Sequence, residues 1–355
     1  MRITTARAWQ EDIALARPYT IARGSTDAVE MAFTALCTDD GLTGHGMASP
    51  ATEVTGETRA EALAELQQAC AAVLPGCDVA DAALPGIVQA RCRGPAARAA
   101  LDMALLDLRA QAAGVALADW FGRVHEPLPT SVTIGCKPVA ETLAEAEEYR
   151  ARGFRVFKVK VGIDPALDLE RLARLREAHG ASLVLRADAN QGYDERAMLG
   201  LAAAARRLGL EMIEQPMAPG SEPFLRTLPQ DVQRMLCADE SVHDAHDLDR
   251  LAAGGIPYGI VNIKLQKCGG PTPAVQLARA CERHGLAVMW GCNDESVVGI
   301  AAALHTALAC RATRFLDLDG SLDLARDPFA GGFALHDGIL STLPRPGLGV
   351  VPTAP

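Results

Sequence analysis

Two lysines lie two residues apart in the apolar segment FKVKV, residues 157–161, of a chain that has few lysines. Only five of its 34 basic residues are lysines: Lys137, Lys158, Lys160, Lys264 and Lys267. Arginine keeps its proton in proteins, whereas lysine can shift its pKa and act as a base. In a β-strand both Lys158 and Lys160 would point to the same face. They are therefore candidate acid/base groups.

Three carboxylates follow apolar segments at regular intervals. Asp188, Glu214 and Asp239 are 26 and 25 residues apart, and no His or Cys accompanies them. Carboxylate oxygens without softer ligands suit Mg²⁺. The alternative is that each acid caps the helix that follows it. The equivalent placement of all three favours a metal site.

Elements that bring these residues together are predicted by eight β-type segments, which alternate with amphipathic helices at intervals of about 25 residues. This regularity predicts an α/β fold with a (β/α)8 TIM barrel, in preference to an open doubly wound sheet. The carboxyl ends of the strands meet at one end of such a barrel. The segments are 131–136, 154–161, 182–188, 210–216, 234–239, 259–264, 287–292 and 314–319.

The N-terminal region has a different pattern. A strand-like segment, 28–36, ends at a turn containing Gly41, and helical spacing covers 57–74 and 95–122, with a break at Gly114. We predict an α+β capping domain over 1–124, a barrel over 125–320, and a segment, 321–355, that packs back on the capping domain.

Composition excludes several classes of protein. The net charge of −10 argues against binding to nucleic acid or to anionic membranes. No apolar run has transmembrane length, and the first twenty residues lack the apolar core of a signal peptide. Ten cysteines without paired spacing read as reduced thiols, so we expect a cytoplasmic protein.

The residues predicted at the strand ends define a reaction class. A metal-bound carboxylate has a more acidic α-hydrogen, because the metal stabilises the enediolate that forms. Lys158 would lower the pKa of Lys160 by charge repulsion and make a neutral base available. Lys264 would act from across the barrel. The result is a 1,1-proton transfer, although the same groups also suit β-elimination or cycloisomerisation.

The motifs KVK (158–160), DAN (188–190), EQP (214–216), ADES (238–241) and NIK (262–264) closely resemble the enolase superfamily, in its muconate-lactonising subgroup. The resemblance implies that Asp188, Glu214 and Asp239 bind Mg²⁺ and that Lys160 and Lys264 are the acid/bases. It also implies electrostatic assistance from Lys158 and support from Asn190 and Glu240. The mandelate-racemase branch is disfavoured, because its strand-seven His is replaced by the sequence MWGC, residues 289–292.

Strand eight narrows the substrate. Asp317 and Asp319 resemble the Asp-x-Asp pair by which dipeptide epimerases hold the substrate ammonium; the alternative is a turn role. In the first capping loop, Gly24 stands where Ala-Glu epimerases have an Arg, with Arg23 displaced by one. We therefore predict cationic or hydrophobic dipeptides, with Asp294 and Glu295 as candidate partners of a cationic side chain.

Four alternatives remain open at this point. An N-acylamino-acid racemase or an o-succinylbenzoate synthase of the same superfamily would not need a functional Asp-x-Asp pair. A Schiff-base aldolase would use Lys264 as a nucleophile and leave the three carboxylates unexplained. A non-catalytic barrel would need neither Lys160 nor Lys264. Symmetric assembly is common for such barrels, so we expect a homo-oligomer.

Overall fold

The computed structural model describes residues 1–22 and 24–353. In chain order its strands are β1 Ile3–Ile21, β2 Gly24–Thr38, β3 Thr43–Ala48, β4 Leu128–Pro129, β5 Val132–Ile134, β6 Val156–Lys160, β7 Val184–Asp188, β8 Leu210–Glu214, β9 Leu236–Ala238, β10 Ile260–Ile263, β11 Ala287–Trp290, β12 Thr313–Leu316, β13 Phe329–Gly331, β14 Phe333–His336, β15 Ile339–Thr342 and β16 Val350–Pro352.

Helices fill the connections between these strands. They are α1 Thr52–Thr55, α2 Arg59–Ala72, α3 Leu84–Arg91, α4 Pro95–Ala112, α5 Leu117–Phe121, α6 Val139–Ala151, α7 Pro165–His179, α8 Glu195–Leu208, α9 Glu222–Leu225, α10 Gln230–Met235, α11 Ala245–Gly254, α12 Leu265–Cys268, α13 Pro271–Arg283 and α14 Val297–Ala307. In the part of the chain that the structure describes, none of them is long and apolar enough to span a membrane.

Strands β5 to β12 form one parallel sheet in sequence order, which confirms the predicted barrel. Each of the eight predicted segments contains one of these strands, except that β12 begins one residue before its segment, and the ends differ from the prediction by at most three residues. Thr130 makes a parallel bridge to Leu316, and the N–H of Ser131 donates to Leu316 O at 3.1 Å. The segment before β5 therefore contacts the last strand, and the sheet closes.

The N-terminal sheet consists of β1, β2 and β3 in antiparallel order. Helix α4 packs against it so closely that a Cβ at Gly46 would lie 1.8 Å from Ala100 O. Gly114 has a φ of +70° and separates α4 from α5, as predicted. Apolar side chains of the β1–β2 hairpin and of the Ala-rich helices α2 and α4 pack together, so this region has a core of its own.

The C-terminal segment returns to the N-terminal sheet. Leu324 forms an antiparallel bridge to Leu15, and Phe329 stacks on Phe33 with ring centroids 5.5 Å apart. Strand β13 pairs with β16, while β14, β15 and β4 form a further sheet. Residues of the last segment are thus part of the layer that covers the N-terminal sheet.

Candidate active site

A row of charged residues crosses three neighbouring strands at their carboxyl ends. The register places Lys160 of β6 opposite Asp188 of β7, and Asp188 opposite Glu214 of β8. Lys160 Nζ donates to Asp188 Oδ2 at 2.7 Å. Asp188 and Glu214 are each 1% exposed. Parallel pairing therefore brings together three of the residues that the sequence analysis selected.

Asp239 completes the predicted carboxylate set from the end of β9. Its Oδ2 lies 2.9 Å from Lys264 Nζ, and its Oδ1 lies 2.6 Å from Lys267 Nζ. Burial opposes ionisation, but Lys264 and then Lys267 hold the pKa of the Asp239 carboxyl far below its usual range. Asp239 is therefore anionic.

Helix capping does not account for these acids. The N-terminus of α8 is capped by the side chain of Asp194, and that of α11 by Asp244. Neither Asp188 nor Asp239 takes that role. The alternative raised by their position after the strands therefore fails for both acids.

The carboxylates fit a hard divalent cation. Within the described ranges, no three ligand side chains already surround a common point at coordination distance, because the oxygens of Asp188 and Asp239 bond to lysines. Glu214 Oε2, however, is buried without a hydrogen-bond partner. Burial and the neighbouring Asp188 raise the pKa of Glu214 to about 8. A cation bound here would compensate a buried charge that is otherwise costly.

Lys158 lies on β6, two residues before Lys160. Its Nζ pairs with Asp317 and is 3.8 Å from an oxygen of both Asp188 and Glu214. Burial would lower the pKa of Lys158, but Asp317, Glu214 and Asp188 raise it well above its usual value. Burial is likewise outweighed at Lys264, where Asp239 raises the pKa. The surrounding carboxylates therefore favour the charged form of both the Lys158 and the Lys264 amine.

Asp317 and Asp319, which follow β12, are both buried but have different hydrogen-bond partners. Asp317 accepts a 2.5 Å hydrogen bond from Ser131 Oγ in addition to its pair with Lys158. Asp319 accepts at 2.7 Å from the N–H of Thr133. Burial, followed by the charge of Asp317, raises the pKa of Asp319 to about 6. Both carboxylates line the cavity above the strand ends.

That cavity has a volume of about 470 Å³ and is roofed by the β1–β2 hairpin. Tyr19 Oη donates to Asp294 Oδ2 at 2.7 Å and joins the hairpin to the loop after β11. Asp294 lines the cavity, but Glu295 does not: its carboxylate accepts from Gln266 Nε2 at 3.0 Å inside the protein. Arg23, to which the sequence analysis referred, lies outside the described residues.

Support for the row comes from predicted and unpredicted residues. Asn190 Oδ1 accepts from Lys160 at 3.0 Å, and Glu240 lines the cavity. Gln215 Oε1 accepts from the N–H of Asp239 at 2.8 Å, a contact that sequence reasoning missed although Gln215 belongs to the EQP motif. Lys267 was also missed; its rarity as one of five lysines was the available signal.

Comparison with known families agrees with this arrangement. A model described as the mandelate racemase / muconate lactonizing enzyme N-terminal domain matches residues 3–122, and one described as enolase C-terminal domain-like matches 141–354. The chain belongs to the mandelate racemase / muconate lactonizing enzyme family.

Several members of the family are similar to the chain over nearly its whole length. An L-Lys-D/L-Arg epimerase from Methylococcus capsulatus is 49% identical, with 99% of each chain covered. The crystal structure of a dipeptide epimerase from that organism, complexed with Mg and L-Arg-D-Lys, superposes with a TM-score of 0.96 at 49% identity, covering 99% of this chain and 100% of that one. A dipeptide epimerase from Enterococcus faecalis, complexed with Mg and L-Leu-L-Tyr, has a TM-score of 0.89 at 31% identity and 99% coverage of both chains.

Proposed function

We propose that this protein is a Mg²⁺-dependent dipeptide epimerase that inverts the α-carbon of the C-terminal residue by 1,1-proton transfer. One observation carries the proposal: Lys160 and Lys264 bond to different carboxylates of one buried set, from strands β6 and the end of β10. A substrate bound between them presents its α-carbon to an amine on each side. One lysine takes the α-proton and the other returns a proton to the opposite face.

The proposed metal ligands are Asp188, Glu214 and Asp239. Mg²⁺ bound there supplies charge neutralisation of the substrate carboxylate, which makes the α-hydrogen more acidic. Lys160 and Lys264, which contact Asp188 and Asp239 in this structure, would be the two amines that exchange protons with the substrate. Asn190 and Glu240 would hold their surroundings in place. Lys158 assists by its positive charge.

The proposed substrate is a dipeptide with a free amino group and a cationic side chain. Asp319, assisted by Asp317, would bind the ammonium, because each is buried at the cavity wall. Asp294 would receive a cationic side chain. The names of the relatives support this direction, since the 49% identical protein is called an L-Lys-D/L-Arg epimerase.

A second candidate is an N-acylamino-acid racemase or o-succinylbenzoate synthase. The pairing of Asp317 with Lys158 favours it to a limited extent, because a carboxylate so engaged is less available to an ammonium. The aldolase alternative with Lys264 as a nucleophile is weaker. It leaves the buried carboxylates Asp188, Glu214 and Asp239 without a role.

The decisive experiment is proton NMR of the protein with Mg²⁺ and a panel of L,L-dipeptides in D₂O. We expect the α-proton signal of the C-terminal residue to disappear and peaks of the diastereomer to appear, fastest for dipeptides with Lys or Arg. Exchange only with N-succinyl amino acids would establish the second candidate instead. Covalent trapping with borohydride would establish the aldolase.

The organisation around this activity completes the proposal. We place a capping domain at 1–124, a barrel at 125–320 and a returning segment at 321–355. We also propose a homo-oligomer that works in the cytoplasm. Size-exclusion chromatography with light scattering tests the assembly, and limited proteolysis near residues 124 and 320 tests the boundaries.

A further inference from the structure

Asp323 is an acidic residue of the cavity wall to which the sequence analysis gave no role. The chain runs from β12 through Asp319 and the 3-10 turn Gly320–Leu322 to Asp323. Its carbonyl accepts from the N–H of Ala16 at 2.7 Å, so the backbone is tied to β1. The side chain is half-buried and lines the same cavity as Lys160 and Lys264.

No described cation balances this carboxylate. The positive charge of Arg17 lowers the pKa of Asp323 slightly, but Arg17 forms its ion pairs with Glu145 and Glu148, each at 2.9 Å. Among residues 1–22 and 24–353, no Lys, Arg or His lies within ion-pair distance of Asp323, Asp319 or Asp294. Burial, followed by Asp319, Asp294 and Glu145, raises the pKa of Asp323 to about 8. A cation at this position would relieve the repulsion.

Asp319 supplies an independent sign that a cationic ligand belongs here. It is 5% exposed and lines the cavity, yet its bond from the Thr133 N–H is a neutral contact and no described cation pairs with it. Buried carboxylates are ordinarily paired. The lysines of the cavity are already engaged by Asp188, Asp239 and Asp317. A cationic ligand would supply the counter-charge that the described side chains do not.

The position of Asp323 selects one part of that ligand. Burial raises the pKa of Asp294, although Tyr19 and three lysines of the cavity oppose the shift. At Asp323 the neighbouring carboxylates, Asp319, Asp294 and Glu145, add to the effect of burial. Asp323 thus lines the cavity one 3-10 turn beyond Asp319, among carboxylates. The part of a dipeptide that extends past the ammonium is the side chain of its first residue.

We propose that Asp323 determines specificity by binding the cationic side chain of the N-terminal residue of the substrate. The inference rests on the proposed epimerase activity and on Asp319 as the ammonium site. A lysine ammonium or an arginine guanidinium at Asp323 completes a second ion pair, separate from the one at Asp319. An uncharged side chain of the same length leaves the carboxylate unpaired.

The test compares two substrates of the same shape, L-Lys-L-Ala and L-norleucyl-L-Ala, in the full-length protein with Mg²⁺. The quantity measured is the ratio of their kcat/KM values from α-proton exchange. We expect Asp323→Asn to reduce this ratio at least about tenfold, as the loss of a charge-assisted contact does. Asp323→Lys should reverse the preference, so that L-Glu-L-Ala becomes a better substrate than L-Lys-L-Ala.

Asp337→Asn is the matched control. It makes the same chemical change at an exposed residue of the β14–β15 turn, outside the cavity. It should keep the wild-type ratio. Turnover of norleucyl-Ala by Asp323→Asn reports that the variant is folded. An unchanged ratio in both Asp323 variants overturns the inference while leaving the epimerase intact. Absence of exchange in the wild-type protein, for every dipeptide, refutes the proposed function itself.

Discussion

Lys267 Nζ lies 2.6 Å from Asp239 Oδ1 in a part of the protein where both side chains are fully enclosed. The same ammonium donates to three backbone carbonyls, those of Asp239 at 2.5 Å, Asn262 at 3.0 Å and Val242 at 3.1 Å. A single lysine thus ties the end of β9 to the end of β10. It fixes the carboxylate that we propose as a metal ligand.

Replacing Lys267 by Met should destabilise the protein by about 3 kcal/mol or more, because Asp239 and several carbonyls lose a buried partner. Urea unfolding in EDTA measures this loss. The affinity for Mg²⁺ should also fall, which titration calorimetry measures without reference to activity. Arg174→Met is the control: Arg174 is exposed and pairs with exposed Glu177, so this substitution should change stability by less than about 0.5 kcal/mol. Wild-type affinity in Lys267→Met would contradict a positioning role.

Arginine at position 160 or 264 should abolish epimerisation while keeping the positive charge, because arginine does not act as a base. We expect kcat to fall at least about 10²-fold in Lys160→Arg and in Lys264→Arg. If the two lysines serve opposite faces, each variant should still exchange the α-proton of one diastereomer, and the two variants should spare opposite ones. NMR in D₂O with both diastereomers reads this out.

Lys137→Arg is the matched control for these variants. Lys137 pairs with Glu145 of α6 and does not line the cavity, so the Lys137→Arg variant should keep the wild-type activity. Circular dichroism checks the folding of all three proteins. Loss of exchange from both diastereomers in a folded Lys160→Arg protein would argue for a single base.

His305 should make stability depend on acid pH. Its Nδ1 accepts from the N–H of Ala118 at 3.0 Å, and burial, with the charge of Arg123, lowers its pKa to about 4. In the unfolded chain this imidazole binds a proton as the pH falls below about 6.5, whereas in the folded protein it stays neutral until about pH 4. Stability therefore falls as pH falls from 6.5 towards 4. Between pH 7 and pH 5 the loss from this residue is about 2 kcal/mol.

His305→Asn tests this dependence, since the Asn carbonyl can accept the same hydrogen bond and does not titrate. The variant should be less stable at pH 7 because it packs less surface, yet its stability should fall about 2 kcal/mol less between pH 7 and pH 5. Urea unfolding at the two pH values gives the slopes. His336→Asn, on a side chain that is 92% exposed, should keep the wild-type slope. Equal slopes in all three proteins would rule out His305 as the cause.

Two glycines should respond in opposite directions to alanine. At Gly46 the added Cβ would lie 1.8 Å from Ala100 O, so Gly46→Ala should destabilise the N-terminal sheet and α4 by about 3 kcal/mol. At Gly200, in the exposed middle of α8, the space is open, and Gly200→Ala should stabilise by about 0.5–1 kcal/mol. Thermal unfolding of both variants measures the difference. A neutral Gly46→Ala would mean that the sheet and the helix do not pack this closely.

The barrel strands were predictable because each is an apolar segment between turn signals, and their polar ends could be read directly. Asp188 and Glu214 were therefore identified as neighbours before their register was known. Glu295 was not separable from Asp294 in this way. Adjacent residues in a loop can face different directions, and the bond of Glu295 to Gln266 depends on a helix 29 residues away in sequence.

By itself, the sequence determined the chemistry that the protein can perform: the residue types at the strand ends, the scarcity of lysine and the spacing of the carboxylates. Only the tertiary structure decided which of these groups are engaged with one another. Lys158 of β6 pairs with Asp317, which follows β12, because closure of the barrel places these two strands on either side of β5. Asp323 lines the cavity where the chain returns to β1. Such contacts join residues more than 150 positions apart, and their pairing depends on how the barrel closes rather than on any local pattern.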